Sequence, residues 1–290
     1  MILTNIIKSV SIISILLVQF SNYALCKDQA KPIHDIYIKM LFEKKLGKLK
    51  DQNKTSNTNE IATQLNSQNS IKVNLQEPNK NEISPSEIYS LNKEGVLCLG
   101  NIYKCDKCDN WHGNIAGGFI ISDDGLAVTN YHVMKNDKAG AFGALTVNGQ
   151  IYPIDKVVAS SQKDDLAIVK LIGSNFKPVS LRANAPVGSD VTVISHPEGR
   201  FYTVSRGIVS RYYLQRGGKE KGSNRIAITA DFAKGSSGSP VFDNTGSVIG
   251  VVAATNSIYY NKVEGIERNL QMVVKSCIPT SSILKLLNSE

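Results

Sequence analysis

The sequence predicts an all-β fold, either two packed barrels or a sandwich, on the strength of three features. From Ser86 onward, short runs rich in β-branched and apolar residues recur. Gly, Asn and Asp punctuate them, and almost no helical periodicity lies between. The first set of candidate strands is 95–103, 117–121, 126–129, 144–147, 151–154 and 166–171. Asp123-Asp124-Gly125 and Asn148-Gly149 fall between strands as hairpin turns. The second set is 190–195, 201–212, 225–229, 240–242, 247–253 and 271–278, which brings the count to twelve. One helix closes the chain, at 281–287, with Thr280 or Ser281 as its cap.

The 290 residues suffice for one large domain or two small ones. Residues 1–26 carry one charge, Lys8, then an apolar stretch over 10–20 and Ala24-Leu25-Cys26, the pattern of a cleaved secretory signal. The apolar stretch is shorter than the ~20 residues a membrane span requires, so no stable span is expected after cleavage. Leu25 is too bulky for the site preceding a lipid-modified cysteine. An exported chain, secreted or periplasmic, is expected.

Residues 33–50 place apolar side chains at helical spacing (Ile33, Ile36, Met40, then Phe42, Leu46, Leu49), with Pro32 in a first-turn position. A short basic amphipathic helix packed on its own domain is expected over 27–50. Residues 51–85 are rich in Asn, Gln, Ser and Lys and almost free of aromatics, and read as a polar linker. The net charge of +8 comes from scattered lysines, with no helix or ribbon that concentrates them, so no nucleic-acid partner is expected.

The chemistry centres on Lys234-Gly235-Ser236-Ser237-Gly238-Ser239-Pro240-Val241. Gly235 can adopt angles closed to other residues, so its N–H and that of Ser237 can point into one space, while Gly238 clears the surface beside the hydroxyl. A serine needs a base, and among His34, His112, His132 and His196 the best placed is His132, where a buried run ends and the chain turns. Asp165 opens the apolar run Leu166-Ala167-Ile168-Val169 and can hold the tautomer of that base. Singly, each has a plain structural explanation: a Gly/Ser turn, a core histidine, a loop aspartate.

Thr129-Asn130-Tyr131-His132-Val133, Asp164-Asp165-Leu166-Ala167-Ile168-Val169 and Gly235-Ser236-Ser237-Gly238-Ser239-Pro240 together resemble the three motifs of trypsin-like serine proteases, in the His, Asp, Ser order of the chymotrypsin fold. The HtrA (Deg) branch is the most similar. Ser205-Arg206-Gly207-Ile208-Val209-Ser210 resembles one of its strands, and Cys277-Ile278-Pro279 resembles its closing strand. The resemblance covers about 95–287. It implies two six-stranded Greek-key barrels, about 86–175 and 176–290, with the site in the cleft between them.

The resemblance further implies a serine endopeptidase acting on proteins or peptides through an acyl-enzyme. Ser237 would be the nucleophile, His132 the base, Asp165 its orienting partner, and the N–H groups of Gly235 and Ser237 the oxyanion hole. It implies no cofactor and no metal. A catalytically silent peptide-binding module on the same fold is the competing expectation. An α/β-hydrolase is disfavoured, because its turn would need glycine at Ser239 and a histidine after the serine.

Some features depart from the pattern. No sequence follows Glu290 for a PDZ domain, so PDZ-gated control is not implied. Ser236 replaces the acid that pairs with a freed N-terminus in digestive trypsins, and Ser239 stands where glycine is usual. Asp231 has the spacing of the carboxylate at the base of a trypsin primary pocket; the alternative is an aspartate that caps a turn or pairs with Lys234. Cys98, Cys105, Cys108 and His112 form a string placed in the loop joining the first two strands. With Cys277 the cysteine number is even once Cys26 is removed, and disulfides are the first expectation in an oxidising compartment. Zinc or free thiols are the alternatives.

Overall fold

Short strands with an apolar face bury it by curling round it. In the computed structural model, which describes residues 32–66 and 73–288, they do so twice. The first ring comprises β1 (Val96–Cys105), β2 (Cys108–Ile120), β3 (Leu126–Thr129), β4 (Ala141–Thr146), β5 (Ile151–Ser161) and β6 (Leu166–Leu171). Its order is β1-β2-β3-β6-β5-β4, and β4 pairs back onto β1 to close the barrel. The second ring comprises β7 (Asp190–Ser195), β8 (Thr203–Leu214), β9 (Asn224–Ile228), β10 (Pro240–Asp243), β11 (Val248–Val263) and β12 (Ile266–Pro279). It runs β10-β11-β12-β9-β8-β7 and closes through β7 on β10.

All pairings within the rings are antiparallel, and the chain passes from the first ring to the second between β6 and β7. The predicted ranges of three strands, β3, β6 and β7, coincide with those observed. Others are longer, because cross-strand pairing carries the ladder into polar sequence where periodicity gives no signal. The clearest case is β11 with β12, whose outer residues form an exposed hairpin.

The N-terminal helix is present as α1 (Asp35–Asp51) and packs against β2 and β4 with Phe42 and Leu46 fully buried. It starts after Pro32, with Asp35 in its first turn. The stretch read as a linker is partly packed. Helix α2 (Thr58–Gln64), capped by Asn57, seats Ile61 against the first barrel with Leu65 just beyond its end. A bulge in β5 provides its anchor, since the Val157 N–H donates to Gln64 Oε1 at 2.9 Å and Ser160 Oγ donates to Leu65 O at 2.6 Å. Two apolar side chains one turn apart suffice here, although composition averaged over the stretch hides them.

Helix α3 (Pro85–Asn92) went unpredicted although Ser84-Pro85-Ser86-Glu87 carries a complete signal. Ser84 and Glu87 form a reciprocal capping box, with Pro85 opening the helix. A single turn, α4 (Tyr131–Met134), follows β3, and α5 (Thr280–Asn288) ends the fold. The described residues from 35 onward form one compact unit. The expected signal sequence lies outside the described residues. No helix among the described residues is long and apolar enough to cross a membrane.

Candidate active site

The strand β3 is buried at all four positions, so it delivers the next residues to the barrel rim in fixed positions. Thr129 Oγ1 donates to Gly117 O at 2.8 Å, and Asn130 Nδ2 donates to Asp165 O at 3.0 Å. His132 then sits in α4 with its side chain about half exposed. Its Nδ1 lies 2.8 Å from Asp165 Oδ2 and 3.0 Å from Oδ1, and its backbone N–H donates to the same Oδ1 at 3.0 Å. Asp165 is buried and holds a left-handed backbone, φ 62°, uncommon for a residue other than glycine. Its carbonyl also accepts the Tyr131 N–H at 3.1 Å. Side chain and main chain of this aspartate are therefore both committed to the segment that carries the histidine.

Burial works against a charged imidazole at His132, but the hydrogen bond and the charge of Asp165 outweigh it and hold the pKa above its ordinary value. Nδ1 faces the carboxylate as the donor, which leaves Nε2 as the accepting nitrogen of the neutral ring.

Ser237 lies on the turn that enters β10 in the second barrel. Gly235 and Gly238 hold φ of 93° and 84°. A Cβ on Gly238 would meet Gly117 O at 2.2 Å, so only glycine fits where the turn touches the first barrel. The Ser236, Gly238 and Ser239 N–H groups bond to carbonyls within the turn or on β11. Those of Gly235 and Ser237 donate to no acceptor among the described residues. Two free N–H donors thus share the turn with the Ser237 hydroxyl.

His132, Gly235 and Ser237 line one cleft of about 840 Å³ between the barrels. Ser237 Oγ makes a long contact with Ala253 O at 3.5 Å and has no hydrogen bond to His132. The cleft wall includes residues that sequence reasoning missed: Asp35, Ile36 and Lys39 of α1, and 198–201 of the loop after β7. Asp35 Oδ1 accepts the Phe201 N–H at 2.9 Å, and the Glu198 N–H donates to Lys234 O at 2.7 Å. No motif marks these residues; the only signal was Asp35 at the head of an amphipathic helix.

Other candidates lie elsewhere. Asp231 is exposed and pairs with Lys275 Nζ at 3.2 Å rather than with Lys234; it is not among the residues lining the cleft. The largely buried Lys275 also donates to Phe232 O at 2.7 Å, while the Asp231 side chain stands out in solvent. His196 is fully buried between Leu97 O at 3.0 Å and the Tyr202 N–H at 3.1 Å. The cysteines of the described residues are free. Cys98 lies in a buried cluster that draws on both barrels and Cys277 in the core of the second, and burial pushes both thiols well above their ordinary pKa. The stretch that carries Cys105, Cys108 and His112 is a strand hairpin rather than a loop.

Two closed six-stranded antiparallel barrels followed by a C-terminal helix define a chymotrypsin-like fold. Solved structures agree with that class. The HtrA-type protease AlgW with decapeptide superposes with a TM-score of 0.56 at 21% identity, over 71% of this chain and 67% of that one. A serine endoprotease from Yersinia pestis gives 0.51 at 22%, over 72% and 69%. Residues 116–251 match the family model described as a trypsin-like peptidase domain. Serine protease HTRA1A of Danio rerio is 37% identical over 142 residues, 46% of this chain and 29% of that protein. Serine endoprotease DegS of Haemophilus influenzae is 30% identical over 141 residues, 48% and 41%. A probable periplasmic DegP-like serine endoprotease of Hahella chejuensis is 33% identical over 179 residues, 59% and 34%. The chain carries a trypsin-like peptidase domain homologous to the HtrA/Deg serine proteases. The matched segments span 29–41% of the length of these three relatives.

Proposed function

We propose that this chain is an exported serine endopeptidase that cleaves protein or peptide substrates through an acyl-enzyme. One observation carries the reading: an imidazole held by a buried carboxylate and a serine flanked by two free N–H donors line the same cleft. Ser237 Oγ attacks the scissile carbonyl as its proton passes to His132 Nε2. Asp165 steadies the imidazolium, and the Gly235 and Ser237 N–H groups receive the negative charge that develops on the carbonyl oxygen. The same proton then leaves with the amine, and water, deprotonated by His132, releases the acyl group. No cofactor enters these steps.

For attack, the Ser237 side chain must turn from Ala253 O toward the imidazole, a rotation about one bond between staggered wells. Catalytic hydrogen bonds are often long before substrate binds. The contact with Ala253 O is also the observation that favours a second reading, a silent peptide-binding module. A fluorophosphonate probe separates the two, since labelling that is lost in Ser237→Ala requires an activated hydroxyl. Export is supported by the charge and apolar pattern of residues 1–26 and by the DegP-like relative's description as periplasmic. Detection of the mature N-terminus near Lys27 would test it.

A further inference from the structure

The hairpin of β1 and β2 turns through Asp106 and Lys107, with Cys105 directly opposite Cys108. Regular pairing would next set Lys104 against Asp109. Instead Lys104 pairs with Trp111, and Asp109 and Asn110 are left without partners in the register. This irregularity draws the chain in, so that His112 reaches the two cysteines near the tip. Its Nε2 lies 3.2 Å from Cys105 Sγ and 3.2 Å from Cys108 Sγ, and the two sulfurs are 3.5 Å apart.

Three donor atoms so disposed form a triangle. A tetrahedral ion with bonds of about 2.3 Å to sulfur and about 2.0 Å to nitrogen sets its ligand atoms roughly 3.5–3.8 Å apart. The observed sides approach that size. A disulfide would bring the sulfurs to about 2.05 Å and leave the imidazole without a role. Two thiolates and an imidazole are the soft donor set that selects zinc over calcium or magnesium.

We infer that Cys105, Cys108 and His112 bind one thiophilic divalent cation, zinc by the chemistry of the donors, with a fourth position open to water. Cys108 is exposed and the other two ligands are half-buried, so the open position faces solvent. The ion closes the free end of a hairpin whose other end matters to the cleft. Just below the tip, Trp111 Nε1 donates to Asp51 Oδ1 at 3.2 Å and the Gly113 N–H donates to Glu43 Oε1 at 2.8 Å, which binds the hairpin to α1. Residues 113–116 then form part of the cleft wall. The inference stands apart from the role of Ser237.

The test uses the full chain purified without chelator. Elemental analysis is expected to find about one zinc per chain. Cobalt(II) added to the reduced, metal-free protein is expected to give a thiolate-to-metal charge-transfer band that saturates at one equivalent and is bleached by zinc. Cys105→Ser, Cys108→Ser and His112→Ala should each weaken cobalt binding by at least about 100-fold, with circular dichroism unchanged because the tip lies outside the barrel core. Equal cobalt uptake by the wild type and the serine variants would overturn the site. So would a Cys105–Cys108 disulfide mapped in the protein as isolated from its own cells.

Discussion

The Gly117 N–H of the first barrel donates to the Ser237 carbonyl of the second at 2.7 Å. The two halves are thus joined at the residue bearing the candidate nucleophile. Gly117 permits this because it lacks a side chain: a Cβ there would lie 2.1 Å from Ser239 Oγ and 2.7 Å from Ser239 N.

Gly117→Ala is therefore expected to push the Ser237 turn away. We expect a loss of about 1–3 kcal/mol from overpacking and a loss of probe labelling out of proportion to it. Ser239→Ala should behave oppositely. Its hydroxyl is buried without a partner, so removing it is expected to leave the melting temperature unchanged or raise it. Thermal melts and labelling rates on the two variants check both.

Asp165→Asn keeps the shape of the side chain and removes the charge. Turnover is expected to fall by about 10⁴, as a wrongly held tautomer costs in triads of this kind. The pH profile gives an independent check. The base acts when neutral, so wild-type activity should decline as pH falls through the raised His132 pKa, above the ordinary value of about 6.5. In Asp165→Asn, burial, the largest cause, is opposed only by the charge of Glu220, the smallest, so the acid limb should move to lower pH. The linkage to stability has the opposite sense: the bound proton favours the fold fully below the unfolded pKa, and that contribution is lost as pH rises through the folded value.

His196 predicts an acid sensitivity of its own. Burial, the dominant cause, pushes its pKa down to about 4. The folded form carries the ring neutral, Nε2 donating to Leu97 O and Nδ1 accepting from Tyr202. As pH falls below about 6.5 the unfolded chain takes up a proton that the fold refuses, so stability should drop until about pH 4, by on the order of 3 kcal/mol. His196→Gln should be less stable at neutral pH and lose this part of the slope. Denaturant unfolding at a series of pH values measures it.

Helix α1 is expected to be integral to the domain. Phe42 is fully buried against the first barrel, so Phe42→Ala should cost about 3–5 kcal/mol. A melting temperature within a degree of wild type would show that the helix is dispensable.

Asp231→Asn should change little. The aspartate side chain is 88% exposed, and its largely buried partner Lys275 keeps its bond to Phe232 O, so the expected effect is below about 0.5 kcal/mol, with no shift in cleavage-site preference. Kinetics on peptides differing only at the residue before the scissile bond would reveal a pocket role if one exists.

Much of the architecture was legible in the linear chain. Apolar runs such as Leu166–Leu171 are buried at nearly every position, and a strand of that kind declares itself by composition. The candidates His132, Asp165 and Ser237 were legible because each sits beside such a run, which fixes where its backbone must be. Reading failed in two ways: α3 carried its capping box in plain sequence, whereas α2 left no local sign of what holds it. Packing of α2 depends on a β5 bulge that frees one N–H for Gln64, and a bulge has no signature in periodicity.

What the sequence by itself determined is the set of local choices: strand or turn, apolar or polar face, and which residue types stand at the barrel rim. These follow from side-chain chemistry within a few residues. Only the tertiary structure decided the pairings: that Asp231 turns outward to Lys275, that Asp35 ties α1 to the loop before β8, and that a slipped register carries His112 to Cys105 and Cys108. Each joins segments through the register of a ladder or the closure of a ring. Those are set by the summed burial of whole faces, which no single stretch of chain encodes.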